Sequence, residues 1–109
     1  MNSYEERLQQ YDALVDQCPG IERKGKTMPY TSDNGHMFSL LNKNGEFGIR
    51  FSKEVQERYF EELNTSYLIS HGAKMKGYVM IPDALWETPE KLVEMLKESH
   101  AYVLSLPPK

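Results

Sequence analysis

The chain has 109 residues with a formal net charge of -3 at pH 7, and its hydrophobic and charged fractions are 39% and 27%. A chain of this length is expected to form one domain over residues 1–109 and to fold without disulfides or a structural metal. The composition excludes an intrinsically disordered protein. The negative net charge argues against a general nucleic-acid-binding protein, because such proteins bind mainly by neutralising phosphates, but it leaves room for a local basic patch.

Cysteine content and hydropathy bear on the compartment. Cys18 is the only cysteine, so the chain cannot form an internal disulfide, which agrees with a reducing environment. The apolar runs are too short to span a membrane, and the first residues lack the basic start and apolar stretch of a signal peptide. We therefore expect a cytoplasmic protein with no membrane association.

A capping-box pattern lies near the start of the sequence. Ser3 is followed three residues later by Glu6, and apolar side chains then recur at three- and four-residue spacing. This pattern predicts a first helix over about residues 4–17, which Pro19-Gly20 ends. The charged segment 22–26 is predicted to be a connection.

Two Asn-Gly pairs, Asn34-Gly35 and Asn44-Gly45, are the strongest hairpin signals in the sequence. Each predicts a two-residue type I′ turn, because Asn and Gly tolerate the positive φ that both central positions require. Pro29 cannot donate a ladder hydrogen bond, so the strand that contains it should lie at the edge of the sheet. The predicted strands form an antiparallel meander over residues 27–32, 36–42 and 46–51.

The second turn also predicts how its two strands pair. A two-residue loop places Leu40 opposite Ile49 and Phe38 opposite Phe51. These side chains are then expected to share the face that packs on the core. The other face is predicted to carry Ser39, Arg50, Lys43 and Glu46.

The second half of the chain is predicted to alternate between helices and strands. Ser52 is placed as an N-cap and predicts a second helix over residues 53–63. Two strands follow over residues 67–70 and 78–81, and Thr88-Pro89 begins a last helix after a short turn. The order α-β3-α-β2-α predicts an α+β fold in which helices pack on a five-stranded antiparallel sheet.

These motifs together resemble the N-terminal domain of the TfoX/Sxy family, which is associated with the regulation of bacterial competence. The resemblance covers most of the chain and implies the α+β fold above and a regulatory domain with no established catalytic residues. The element order also resembles the YjbR-type domains. The segments that carry the TfoX resemblance are Lys26-Thr27-Met28, Asn34-Gly35-His36-Met37-Phe38-Ser39-Leu40, Gly45-Glu46-Phe47-Gly48-Ile49-Arg50, Lys76-Gly77-Tyr78-Val79-Met80-Ile81-Pro82 and Thr88-Pro89-Glu90-Lys91-Leu92.

Basic side chains cluster in two parts of the sequence, before the first predicted strand and in the loop between the last two. If the fold brings them together, they form a site for phosphate or carboxylate, or a local nucleic-acid patch. The alternative is that these side chains are simply solvated. The residues of this predicted patch are Arg23, Lys24, Lys26, Arg50, Lys74 and Lys76.

A second candidate surface is the sheet face opposite Phe38 and Ile49, which is predicted to carry Met28, Tyr30, Met37 and Leu41. Such a face is too apolar to be fully solvated. Either helices of the protein cover it, or it is an interface with a second copy of the chain or with another protein, because Tyr and Met are enriched at interfaces.

No combination of residues predicts a catalytic, metal or cofactor site. Cys18 has no adjacent base, and a cysteine at the end of an amphipathic helix is usually a small buried apolar side chain. His36, His71 and His100 show no metal-ligand spacing with each other or with Cys18. We therefore expect no catalytic residue, no metal and no cofactor.

Three functions remain open from the sequence. The first is a small cytoplasmic non-enzymatic regulatory or adaptor domain that contacts a protein partner, including a second copy of itself. The second is a nucleic-acid-associated competence or transcription regulator that uses the basic patch. The third is an enzyme of unknown type, which requires a deep pocket with convergent titratable groups.

Overall fold

The computed structural model describes residues 4–25, 28–70 and 72–109. Within these residues, three α-helices accompany an antiparallel five-stranded sheet, and a two-stranded ribbon forms a separate ladder. The predicted α+β fold is confirmed. In chain order the elements are α1 (Tyr4–Asp16), β1 (Arg23–Lys24), β2 (Tyr30–Asp33), β3 (His36–Leu41), β4 (Phe47–Arg50), α2 (Lys53–Leu63), β5 (Ile69–Ser70), β6 (Ala73–Lys74), β7 (Tyr78–Met80), a 3-10 helix (Asp83–Glu87) and α3 (Pro89–Leu104).

The helices lie where the sequence predicts them. Ser52 caps α2, its Oγ accepting a hydrogen bond from the Val55 N–H at 3.4 Å, and Asn64 ends that helix with a left-handed φ of 51°. Thr88 stands at the N-cap position of α3, but its hydroxyl donates to the Leu85 carbonyl at 3.3 Å instead. None of the helices in the described residues is long and apolar enough to cross a membrane.

The five strands of the sheet are not all the predicted ones, and the differences concern its outer strands. The strand order is β1-β2-β3-β4-β7, so the segment predicted as a connection forms the edge strand β1. The predicted strand over residues 67–70 supplies only β5, which pairs with β6 in the ribbon. The edge position predicted from Pro29 is also wrong, because Pro29 precedes β2 and its missing N–H removes no bond from the ladder.

The two Asn-Gly turns have different geometries. Asn34 and Gly35 both have positive φ, 56° and 80°, as a type I′ turn requires. In the second turn Gly45 alone of the pair has a positive φ, 79°. Asn42 N–H donates to the Glu46 carbonyl at 2.9 Å, so the loop between them has three residues. The prediction of a two-residue turn at this position is wrong.

The side chain of Asn42 explains the longer loop. Its Oδ1 accepts hydrogen bonds from the N–H groups of Asn44 and Glu46, both at 3.0 Å. Its Nδ2 donates to Glu46 Oε1 at 2.9 Å and to the Ile69 carbonyl at 3.0 Å. Asn42 therefore organises the turn and ties it to the ribbon.

The longer loop shifts the pairing of β3 with β4 by one residue. Leu40, predicted to lie opposite Ile49, lies opposite Gly48, and Ser39 lies opposite Ile49 instead. Because side chains alternate between the two faces of a strand, this shift changes which residues share a face.

A bulge in β3 makes a second change. The pairing with β2 shifts between Thr31 and Ser32, which leaves Phe38 as the extra residue. Phe38 is buried in the core that the helices share, and the Oγ of Ser39 lies 2.5 Å from the Tyr11 hydroxyl of α1. Two consecutive side chains of β3 therefore face the helices.

The larger hydrophobic core lies between the sheet and the helices. Burial raises the pKa of Tyr11, whose hydroxyl bonds Ser39, and Ser39 in turn bonds the Thr31 hydroxyl at 2.5 Å. No buried side-chain polar atom lacks a partner in the described residues. The large side chains that are almost completely buried in this core are Tyr11, Leu14, Phe38, Leu41, Phe47, Ile49, Phe51, Leu92, Met95 and Leu96.

A smaller cluster lies on the opposite face of the sheet. Its buried members are Leu40, Leu68 and Tyr78. Gly48 of β4 leaves room for Leu68, since a Cβ at position 48 would lie 2.5 Å from the Leu68 Cδ2. The segment before the ribbon therefore packs directly on the sheet where β4 has no side chain.

The end of β2 is tied to the C-terminal part of α3. His100 Nε2 lies 2.7 Å from Asp33 Oδ2, and Asn34 Nδ2 donates to the carbonyls of Val103 and Leu106 at 3.0 and 2.8 Å. The hydrogen bond from His100, helped by the Asn34 N–H, lowers the pKa of the Asp33 carboxyl. This tether holds α3 across the sheet.

Candidate anion-binding site

The predicted basic patch is divided between the two edges of the sheet. Arg23 and Lys24 form β1 at one edge, whereas Lys76 precedes β7 at the other. Neighbouring strands are about 4.8 Å apart, so four strand spacings separate these edges by roughly 19 Å. Lys26 lies outside the described residues. The sheet therefore does not bring Arg23 and Lys24 to Lys76.

Both cations at the β1 edge have partners within the protein. Arg23 forms an ion pair with Asp12 of α1 and donates to the Gly25 carbonyl at 3.2 Å. Lys24 Nζ donates to the Ser32 hydroxyl at 3.2 Å. These side chains are engaged in holding β1 against its neighbours.

At the opposite edge, three cations line one open cleft. Arg50 ends β4, Lys53 begins α2 and Lys76 lies in the turn before β7. These cations come from separate elements that the fold brings together. The cleft has a volume of about 720 Å³, and its walls are formed by Arg50, Phe51, Lys53, Gln56, Tyr67, Lys76, Gly77 and Tyr102.

Contacts on several sides hold Arg50 in the cleft. Its guanidinium carbon lies 5.8 Å from the centre of the Tyr102 ring, and its backbone carbonyl accepts a hydrogen bond from the Ser99 hydroxyl. Gly77 lies beside this side chain, since a Cβ there would lie at an ordinary contact distance of 3.4 Å from the Arg50 Cγ. An arginine whose guanidinium lies over an aromatic ring still presents the N–H groups at its edge to an anion.

Lys53 lines the cleft because α2 begins there. Ser52 caps the first turn, and Gln56 Nε2 fixes that turn to β7 by donating to the Tyr78 carbonyl at 3.1 Å. The first turn of a helix carries a partial positive charge. The start of α2 therefore adds to the positive potential that the lysine brings, although Glu54 in the same turn opposes it in part.

Lys74 is close to the cleft but does not line it. Its Nζ lies 5.4 Å from the centre of the Tyr67 ring, which itself forms part of the wall. Tyr67 packs edge-on against Phe60 of α2, with 5.1 Å between the ring centres. Lys74 thus places a positive charge next to the cleft, in contact with the Tyr67 ring that lines it.

The cleft has no acidic partner in the part of the chain that the structure describes. Arg50, Lys53 and Lys76 belong to none of the ion pairs found there, which join Arg7 to Asp83, Arg23 to Asp12, Arg58 to Glu98, Lys91 to Glu62 and His100 to Asp33. Like charges around one cleft repel each other unless an anion is bound. The arrangement is therefore suited to bind an anion.

Comparison with known proteins adds no family to this geometry. No protein-family model and no curated protein matches the chain. The resemblance to the TfoX/Sxy N-terminal domain therefore stays a prediction.

The predicted apolar face is largely covered by the protein itself. Met28, Tyr30 and Met37 are half-buried and pack against the smaller cluster, which includes Leu68. Leu41 does not belong to this face, because it is fully buried on the side that faces the helices. The cover comes from the segment that carries Leu68, whereas the sequence led us to expect a helix or a partner.

The remaining candidate side chains have structural contacts. Cys18 is buried, its thiol donates to the Leu14 carbonyl at 3.5 Å, and burial raises its pKa. His36 Nε2 lies 2.9 Å from the Pro107 carbonyl, and His71 lies outside the described residues. Among the side chains that the structure describes, no group of His, Cys, Asp and Glu is placed to hold a metal ion.

Sequence reasoning missed several residues of the cleft. Lys53 reads as an exposed residue of a helix, and Tyr102 lies more than fifty positions from Arg50 in the chain. A signal for Lys53 was available, since Ser52 starts a helix directly after the strand that ends near Arg50. No local pattern indicated Tyr67 or Tyr102, because their place in the wall depends on how distant elements pack.

Proposed function

We propose that this chain is a small cytoplasmic, non-enzymatic regulatory or adaptor domain, similar to the TfoX N-terminal domain, that binds an acidic group of a protein partner in its cleft. One observation carries the proposal. Arg50, Lys53 and Lys76 face one open cleft and form no ion pair among the described residues.

The physical argument rests on the unbalanced charge of the cleft. Like charges that line one cleft repel each other, and they do so more strongly where the protein excludes water. An acidic group removes this repulsion and gains charge-assisted hydrogen bonds, which are stronger than neutral ones. Binding of an anion is therefore favoured here more than at the β1 edge, where Arg23 already pairs with Asp12.

The titratable side chains support recognition rather than catalysis. Burial raises the pKa of Cys18, whereas a nucleophilic cysteine needs a lowered pKa. His100 is engaged with Asp33 in the tether between β2 and α3. The described lining of the cleft consists of cations, aromatic rings, Gln56 and Gly77, a set that suits anion binding more than proton transfer.

A nucleic-acid-associated regulator is the second hypothesis, and it requires a continuous basic surface. The cations of β1 lie at the far edge of the sheet from the cleft and contact Asp12 and Ser32. Affinity for nucleic acid grows with the number of phosphates that the protein neutralises. We favour a discrete acidic group on a protein because the cations of the cleft are confined to one place.

Self-association through the apolar face is the remaining route to protein contact, and light scattering over a concentration series tests it. We expect a monomer, because residues of the same chain already cover Met28, Tyr30 and Met37 in part. A dimer that Met37→Glu dissociates and Lys76→Gln leaves intact would assign the contact to the apolar face instead.

Fluorescence anisotropy with a labelled glutamate-rich peptide tests the proposed function directly. We expect Lys53→Gln and Lys76→Gln each to weaken binding at low ionic strength, and added salt to weaken it further through screening. Lys43→Gln is the matched control, because Lys43 is exposed in the β3–β4 loop and does not line the cleft. Equal affinity for the cleft variants and the control would contradict the proposal.

A further inference from the structure

We infer that the acidic group which the cleft binds is a phosphate monoester carrying two negative charges, rather than a carboxylate or a phosphodiester. This inference rests on the proposed function, since it names the chemistry of the group bound at the same site. It draws on the number of cations, the guanidinium of Arg50 and the start of α2.

The number of cations in the cleft exceeds what a carboxylate can use. Arg50, Lys53 and Lys76 bring three positive charges to one cleft, and Lys74 lies just behind Tyr67. A carboxylate carries one negative charge on two oxygens. A phosphate monoester carries about -1.5 to -2 at pH 7 on three acceptor oxygens. One phosphoryl group can therefore balance up to about two of the three positive charges that line the cleft, whereas a carboxylate balances one.

Arg50 brings to the cleft a side chain that suits phosphate recognition. Its guanidinium carbon lies 5.8 Å from the centre of the Tyr102 ring, and its side chain runs beside Gly77. A guanidinium offers two parallel N–H groups to a pair of phosphate oxygens. Lysine cannot make this contact, because its ammonium acts as a single point charge.

The start of α2 supplies a further positive element in the same wall. Lys53 is the first residue of this helix of 11 residues, and its side chain lines the cleft. The first N–H groups of a helix lack acceptors within the helix and favour an anion. The Val55 N–H is already bonded to Ser52 Oγ and Glu54 lies in the same turn, so the helix start adds less than the three cations, which form no ion pair among the described residues.

The rest of the cleft fits the organic part of a monoester. Its volume of about 720 Å³ lies within the range of about 300–1,000 Å³ that is common for ligand sites, and it is far larger than one phosphate. Tyr67 and Tyr102 form apolar walls beside the cations. The ester can be a phosphorylated side chain of a partner protein or a small free organic phosphate, because both present the same group.

Titration calorimetry with phenyl phosphate tests the inference. Over about pH 5 to 7.5 we expect the affinity to rise as the ligand loses its second proton near pH 6. Dimethyl phosphate, which has no second ionisation, should bind weakly and show no such rise. The described lining of the cleft contains no His, Asp or Glu side chain, so the rise reports the ligand.

Three variants and one control localise the binding. Arg50→Lys keeps the charge but removes the guanidinium, and it should weaken phenyl phosphate binding roughly tenfold, as should Lys53→Gln and Lys76→Gln. Lys43→Gln should bind like the parent chain. Thermal unfolding of each variant checks that it is folded. Arg50→Lys is the most informative variant, because a site that recognises only charge would keep its affinity for phenyl phosphate.

The affinities of further ligands identify the source of the phosphate and show which proposal is overturned. Tighter binding of a phosphoserine peptide than of phenyl phosphate supports a partner side chain, and equal binding supports a small organic phosphate.

If a glutamate-rich peptide binds in the cleft as tightly as the phosphoserine peptide, the inference is overturned while the proposed function stands. If dimethyl phosphate or a single-stranded oligonucleotide binds better than phenyl phosphate, a phosphodiester replaces the monoester. If no anion responds to the cleft variants, both proposals are overturned.

Discussion

Both edges of the sheet carry basic side chains, but within the part of the chain that the structure describes only those at the β1 edge are paired or hydrogen-bonded to other side chains of the protein. At the β1 edge, Arg23 is paired with Asp12 of α1 and Lys24 bonds the hydroxyl of Ser32. At the β4–β7 edge, Arg50 and Lys76 line a cleft together with the start of α2 and form no ion pair in the described residues. One edge uses its charges to hold the fold, and the other presents them to solvent.

This contrast shows that a count of basic residues does not locate a binding site. A cation whose charge is met by a carboxylate of a neighbouring helix gains little from a second anion. A cation with no such partner is available for a ligand, and several of them in one cleft favour the same ligand together. The acidic neighbours of each basic residue, which only the fold reveals, decide which edge binds.

The largest expected effect comes from removing the packing behind the β4–β7 edge. Leu68 is fully buried over Gly48, next in sequence to the cleft residue Tyr67. Leu68→Ala should reduce the free energy of unfolding by about 2–5 kcal/mol, because it leaves a cavity in a well-packed site. Urea unfolding followed by circular dichroism measures this loss.

Ile69 provides the control for that measurement. It is the next residue and is 51% exposed, so Ile69→Ala should change stability by no more than about 0.5 kcal/mol. Similar losses for the two variants would show that the segment does not pack on Gly48 as described.

A pH-dependent effect is expected at the end of β2. The folded-state pKa of Asp33 is lowered by its hydrogen bond with His100, so the stabilisation is present above the unfolded-state pKa of about 3.9 and is lost as the pH falls through the folded value. Asp33→Asn should therefore lower the melting temperature at pH 6, and the difference from the parent chain should shrink below about pH 4. A difference that stays constant from pH 6 to pH 2.5 would contradict the assignment.

The smallest effects distinguish the charges of the two edges. Arg23→Gln should lower stability by about 0–1 kcal/mol, because the ion pair with Asp12 is partly exposed, and 1 M NaCl should remove much of this loss. Lys76→Gln should leave stability unchanged or raise it by up to about 0.5 kcal/mol, because it relieves repulsion in the cleft. A larger loss for Lys76→Gln than for Arg23→Gln would reverse the roles of the edges.

The helices could be predicted from the sequence because their signals are local. Ser52 and Asn64 bound α2 through contacts with residues within a few positions. The Asn34-Gly35 turn was predictable for the same reason, since the positive φ of both residues is a property of the pair itself.

The strand pairing could not be predicted because it depends on contacts that sequence spacing does not show. Asn42 lengthens the second turn by bonding Asn44 and Glu46, and a single added loop residue shifts the register. The bulge at Phe38 then places that residue and Ser39 on one face. For this reason the prediction that Leu41 lies on the apolar face is wrong.

Only part of the candidate site was visible before the fold was known. Arg50 and Lys76 belonged to the predicted patch and line the cleft, whereas Arg23 and Lys24 lie at the opposite edge. The predicted patch lacks Lys53, although the N-cap Ser52 places a helix start, and with it Lys53, directly after the strand that contains Arg50. Strand order separates or unites such residues, and it is set by packing over the whole chain.

The most direct test of the contrast between the edges is an NMR titration of the uniformly ¹⁵N-labelled chain with phenyl phosphate. The account predicts saturable shifts in the Arg50 side-chain N–H and the backbone N–H groups of Lys53 and Gly77, with no change at Arg23 or Lys24. Shifts centred on Arg23 and Lys24, or no saturable shift at either edge, would contradict it.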